Sequence, residues 1–128
     1  MSDNAQRFYD EWSVRMSHAK TSAPDVAKGF GSLYQTVMKA GAIGVREKEL
    51  VAVGISMAVR CDACIYTHVE KAIKAGASRQ QIVEAAGVAV MMQGGPTYTY
   101  LPKLIEALDA IESPEPVRPA EPNRQTPS

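Results

Sequence analysis

The chain has 128 residues, 45% of them hydrophobic, with 14 basic residues balanced by 14 acidic ones and a pI near 6.7. That length suits one domain able to bury about two thirds of its unfolded surface. The balanced charge excludes a global field that would draw the protein to nucleic acid or to an anionic membrane. The first seven residues, Met-Ser-Asp-Asn-Ala-Gln-Arg, carry acid and amide where a secretion signal has a basic and then an apolar segment. The longest uncharged apolar-rich run, residues 50 to 59, is too short to cross a bilayer. The expectation is a cytoplasmic protein with no membrane partner.

Residues 3 to 19 read as a first helix, with Phe8, Trp12 and Met16 four apart on one side. His18 lies near its end, where a cation favours a helix C-terminus. Thr21-Ser22-Ala23-Pro24 breaks the pattern and opens a second helix, whose stripe is Val26, Phe30, Leu33 and Val37. Gly29 and Gly31 weaken that helix and point to a close helix contact, and Gly41 is a plausible stop. A third helix is expected from Val45 to Val59. It starts with Arg46, Glu47, Lys48 and Glu49, then turns almost wholly apolar or small, as a segment buried on nearly every side does. A buried strand is the competing reading, since Val51, Val53, Ile55 and Val59 are β-branched; the lack of any other convincing strand favours helix.

Arg60-Cys61-Asp62 forms a corner, and a fourth helix runs to Ala75 with Gly76 as its left-handed cap. Ser78-Arg79-Gln80-Gln81 has the form of a capping box opening a fifth helix through Ile82, Ala85, Ala86, Ala89 and Met92. Gly94-Gly95-Pro96 ends it. The methionines and glycines of residues 87 to 95, with Tyr98 and Tyr100, have core packing as their default role and a substrate pocket or subunit interface as the alternative. A last helix is expected over residues 97 to 111, with Leu101, Leu104, Ile105, Leu108 and Ile111 on one face and a kink at Pro102. Five prolines among residues 113 to 128, with alternating Glu and Arg, cannot bury a core, so that stretch reads as a disordered or extended tail. The expected fold is all-α, one helical domain of five to six helices over residues 1 to 112, with no internal repeat.

Chemistry concentrates between residues 49 and 68, which hold both cysteines, one of the two histidines and an acid at the mouth of the apolar run. On a helix, Cys61, Cys64 and His68 are related as i, i+3 and i+7 and share a face. Cysteines one helical turn apart keep their Cα atoms near the roughly 5.5 Å of a disulfide, so the thiols can close and open without backbone movement. Cys61 falls at the helix start, where unpaired N–H groups and the dipole favour a thiolate over the ordinary thiol, whose pKa is about 8.5. His68, four residues after Cys64, is placed to exchange a proton with that thiol. Glu49 reaches His68 if the third and fourth helices pack as an antiparallel hairpin. In a reducing compartment such a pair is more often catalytic or metal-binding than structural. The rival is zinc held by Cys61, Cys64, His68 and either Glu49 or His18, although no second cysteine pair exists to close a zinc knuckle. The plain alternatives are cysteines buried as small hydrophobes and Glu49 as a solvated acid in a first helical turn.

The spacing Glu-x11-Cys-x2-Cys-x3-His, filled by Glu49, Cys61, Cys64 and His68, resembles the signature of the alkyl hydroperoxidase D-like branch of the carboxymuconolactone decarboxylase superfamily. The flanking text is similar as well: Arg46-Glu47-Lys48-Glu49-Leu50-Val51 before the run, and His68-Val69-Glu70-Lys71-Ala72 through Ala75-Gly76-Ala77 after it. The likeness is loose over residues 24 to 108 and close over 46 to 77. Decarboxylase members generally lack the cysteine pair, so its presence points to the redox branch. The resemblance implies a helical homo-trimer or homo-hexamer with the motif helices near subunit contacts. It also implies a peroxide substrate, an external dithiol reductant that in some members is a lipoyl-bearing protein, and no cofactor of its own. Ala63 stands where some peroxidase members carry a histidine, a departure that bears on peroxidase strength and on the substrate.

The expected activity is that of a thiol-dependent peroxidase and disulfide oxidoreductase, with Cys64 as nucleophile, Cys61 as resolving residue, and Glu49 and His68 handling the proton. The helix dipole favours Cys61 as the attacking thiol and closeness to His68 favours Cys64, so the order rests on the second consideration. A lactone decarboxylase or other carbon-acid enzyme using His68 and Glu49 without the cysteines is one alternative; a non-catalytic redox sensor or metal-binding module is another.

Overall fold

The computed structural model describes residues 4–112, and every regular element among them is helical. In order these are α1 (Asn4–Ser22), α2 (Pro24–Met38), α3 (Val45–Ala58), α4 (Asp62–Lys74), α5 (Arg79–Gln93), the single turn α6 (Gly95–Tyr98) and α7 (Leu101–Glu112). The tail expected over residues 113 to 128 lies outside the described residues.

Local chemistry accounts for most of the boundaries. Only Ala23 separates α1 from α2, whose first residue Pro24 has no N–H to waste. At the end of α4 the amide of Gly76 donates to the Ile73 carbonyl and that of Ala77 to the Ala72 carbonyl. This double closure requires the positive φ of 99° that Gly76 adopts without a Cβ penalty. Ser78 then caps α5: its Oγ accepts from the Gln81 amide at 3.0 Å while the Gln81 side chain accepts from the Ser78 amide at 2.9 Å. The expected last helix is two pieces. Thr99 and Tyr100 interrupt it, and Pro102 sits in the first turn of α7, where a missing N–H costs no hydrogen bond, so it starts a helix and does not kink one.

Helices α3 and α4 form a hairpin, with α5 packed along α3 and α7 along α4, while α1 crosses α7 and α4. The core is built from one face of each: Val53 and Met57 of α3, Ile65, Val69 and Ala72 of α4, Ile82 and Ala86 of α5, Leu104 and Leu108 of α7, all fully buried. Each large aliphatic side chain so buried contributes on the order of 1.5–3 kcal/mol. Phe8 anchors α1, stacking on Trp12 at 4.6 Å and meeting Tyr66 at 5.1 Å.

Three further expectations are corrected. Helix α3 is not covered on nearly every side: Glu49, Val53, Ser56 and Met57 are buried, but Val51 and Ile55 are 54% and 58% exposed. Helix α2 buries none of its residues, and its stripe of Val26, Phe30, Leu33 and Val37 faces outward, with Phe30 63% exposed. Nothing lies within 4 Å of a Cβ built on Gly29 or Gly31, so the chain's own helices supply no close contact there. Met91, Met92 and Tyr98 are likewise exposed and do not pack in the core, whereas Tyr100 does pack against it. Single-sequence periodicity identifies apolar faces but not what covers them, and here much of the apolar surface stays uncovered within one chain.

Candidate active site

The corner between α3 and α4 is made by Arg60, which has a left-handed φ of 55° and delivers Cys61 to the helix N-terminus in an extended conformation. Cys61 is the N-cap of α4. Its sulfur accepts a hydrogen bond from the Cys64 amide at 3.1 Å, the role a serine or aspartate oxygen usually takes. Cys61 and Cys64 are joined as a disulfide across a Cα separation of 5.2 Å, and both are half-buried. When the bond is reduced, the amide and the helix dipole that hold the Cys61 sulfur favour its thiolate.

One turn further along α4, His68 faces α3. Its Nδ1 lies 2.8 Å from Oε1 of Glu49, which the antiparallel hairpin carries from the first turns of α3 to the side of α4. Glu49 is only 4% exposed, and a carboxylate so buried needs partners for both oxygens. Oε2 finds one in Tyr34 of α2, whose hydroxyl donates to it at 2.9 Å. The carboxylate on Nδ1 favours the tautomer with its proton there, leaving the Nε2 lone pair as the basic position.

Tyr34 also stacks on His68, with centroids 6.2 Å apart and planes inclined by 20°, and the Lys71 ammonium stands 4.4 Å above its ring. Burial, reinforced by the hydrogen bond to Glu49 and its negative charge, pushes the Tyr34 phenol well above its ordinary value. It therefore stays a proton donor across the working range of a protein. The end of α2 is held by Lys48, whose ammonium donates to the Val37 and Lys39 carbonyls at 2.7 Å each.

The structure thus brings Glu49 and His68 into contact and sets Cys61 and Cys64 one to two turns above His68 on the same helix. His18 is elsewhere, in a shallow cleft lined by α1 residues alone. Among the described residues no cluster of three His, Cys, Asp or Glu side chains is arranged to hold a metal. Tyr34 and Lys71 are the participants that sequence reasoning passed over. Lys71 follows His68 by three positions and was within reach of face arithmetic. For Tyr34 the signal was faint, an aromatic with a polar tip beside an apolar stripe.

The model of the carboxymuconolactone decarboxylase family matches residues 24–108. The chain belongs to the carboxymuconolactone decarboxylase family. The match runs from the first residue of α2 into α7 and includes Tyr34, Glu49, Cys61, Cys64, His68 and Lys71, while α1 stands outside it. Among solved structures, a family protein from Legionella pneumophila aligns with a TM-score of 0.81 at 30% identity, covering 88% of this chain and 100% of that one. A family protein from Thermotoga maritima, suggested to act in an antioxidative response, aligns with a TM-score of 0.63 at 30% identity over 66% of this chain and 88% of its own. An uncharacterized protein of the cox locus of Paracoccus denitrificans is 32% identical over 100 residues, which is 78% of this chain and 90% of that protein. The all-helical fold and the cysteine pair are consistent with the alkyl hydroperoxidase D-like branch of the family.

Proposed function

We propose that this family member is a thiol-dependent peroxidase and disulfide oxidoreductase, with the Cys61–Cys64 pair as its redox centre. The observation that carries the reading is the juxtaposition of that pair, at a helix N-terminus, with a histidine one turn below Cys64 whose orientation is fixed by a buried carboxylate. The suggested antioxidative role of the Thermotoga relative points the same way.

In the reduced protein, His68 Nε2 takes the proton of the Cys64 thiol and Glu49 stabilises the resulting imidazolium. The thiolate attacks the terminal oxygen of a hydroperoxide, the O–O bond breaks, and the leaving alkoxide takes a proton to become an alcohol, leaving a sulfenic acid on Cys64. The Cys61 thiolate, stabilised at the N-cap, attacks that sulfur; hydroxide leaves and is protonated to water, and the disulfide closes. An external dithiol, supplied for instance by a lipoyl-bearing protein, returns two electrons and two protons through a mixed disulfide.

The test is a count of free thiols, with bound metal quantified alongside, before and after stoichiometric organic hydroperoxide. Fast loss of both thiols per chain, without metal and reversed by dithiol, is the expected result. Thiols that do not react, accompanied by about one zinc per chain, would replace this reading by a metal site. A sulfenate trapped at Cys64 in Cys61→Ser supports the assigned order, and one trapped at Cys61 in Cys64→Ser reverses it. The Glu49–His68 pair is complete without either sulfur, which favours acid–base chemistry on a lactone or other carbon acid as the second reading. That activity would survive loss of both cysteines, whereas the peroxidase would not.

The exposed apolar side chains along α2, α3 and α5 support assembly with further copies of the chain, as a homo-trimer or homo-hexamer.

A further inference from the structure

Beside the Glu49–His68 pair, α2, α3 and the second half of α4 line a shallow, open cleft of about 580 Å³. Glu49 and Tyr34 stand in its wall, so it opens onto the carboxylate that orients His68. Its charge is lopsided: three lysines, Lys39, Lys71 and Lys74, line it together with a single acid, Glu49. Glu70 lies 3.9 Å from Lys74 and offsets part of that charge, which leaves Lys39 and Lys71 as the principal cations. Lys71 is held over the Tyr34 ring and is ordered before any ligand arrives. Met38, Val45 and Ala75 make most of the remaining wall apolar, with Gln35 as its one neutral amide.

Such a lining fits neither a neutral polar molecule nor a bare hydrocarbon. It fits an anionic head on an apolar stem, because the ammonium groups hold a carboxylate by charge-assisted hydrogen bonds while the stem covers the apolar wall. Helix geometry gives the length of the stem. Seven residues of α4 separate Cys64 from Lys71, a rise of about 10 Å.

We propose that this cleft is the head-group half of the substrate site, and that the preferred substrate is an amphipathic carboxylic acid whose reacting group lies about 10 Å from its carboxylate. For its reaction the inference rests on the peroxidase reading; for binding it stands alone.

The test compares 8-hydroperoxyoctanoic acid with its methyl ester as substrates of the full chain, with a recycling dithiol, in wild type and in the double variant Lys39→Met, Lys71→Met. The expected wild-type preference in kcat/KM for the acid over the ester is about tenfold, the value of one good charge-assisted contact; it shrinks toward unity in the double variant and in high salt. Equal use of acid and ester by the wild type overturns the proposal, as does a preference that persists in the double variant. Equilibrium binding of octanoate, which cannot react, is measured in parallel. If neither hydroperoxide is consumed, the peroxidase reading fails by itself; octanoate bound by the wild type and not by the double variant then upholds the cleft as an acid site, and no octanoate binding overturns it.

Discussion

Tyr34 shows how a site can depend on a residue whose chemistry is elsewhere unremarked. Its hydroxyl occupies one oxygen of Glu49 while His68 occupies the other, so the carboxylate has little freedom to turn away from the imidazole. Tyr34→Phe keeps the ring under Lys71 and against His68 but removes that donor. The expected outcome is a fall of about tenfold in peroxide kcat/KM, on the scale of one hydrogen bond to a charged group, with helix content and thiol count unchanged; circular dichroism and a thiol titration run beside the kinetics check both halves. At this scale the sequence was legible where residue types recur at fixed spacing. Glu49 could be told from Glu47 by its distance to Cys61, and the structure separates the two: Glu47 is exposed and its carboxyl is held below the usual range by Arg46 at 2.7 Å, whereas Glu49 is buried against His68. Tyr34 was not legible, because it meets Glu49 across 15 residues and a change of helix.

Among the elements, α4 is the hub, and two phenols tie others to it. Tyr9 of α1 donates to the Tyr66 carbonyl at 2.6 Å, and the Tyr66 hydroxyl donates to Glu106 of α7 at 3.1 Å. Burial first, and the Glu106 charge second, push the Tyr66 phenol from 10.0 up to about 12; burial also raises Tyr9. A phenol raised on folding stabilises the fold fully below its unfolded value and loses that contribution as pH climbs to its folded one. Helix content should therefore hold up to about pH 10 and fall between about 10 and 12, with tyrosinate absorbance rising in the same step. Phenols that titrate near their ordinary value while the helices stay intact would contradict this. Helix types and capping signals, such as the Ser78 and Gln81 pair, were readable because they are local. The two-piece ending was not, since Pro102 serves equally to kink a helix or to start one. Nor was the openness of α3, whose apolar composition does not reveal how many of its faces its own chain covers.

For the molecule as a whole, the uncovered apolar residues of α2, α3 and α5 motivate the prediction that its mass in solution is a multiple of 13.8 kDa. Ile55→Asp, which puts a charge where the side chain is 58% exposed, should leave the helices folded and shift light-scattering mass toward 13.8 kDa; an unchanged mass would place the contact elsewhere. The attachment of α2 carries this further. That helix buries none of its own residues and is held at the site by the Tyr34 hydroxyl and at its end by the Lys48 ammonium, while its hydrophobic stripe looks outward. A second copy covering the stripe, as the proposed assembly requires, would also steady the phenol behind it. On the proposed peroxidase reading, turnover per chain is then expected to rise with protein concentration, and an assay run at high dilution to find a weak enzyme where a crowded solution holds a competent one; turnover per chain that is the same at every dilution would contradict this.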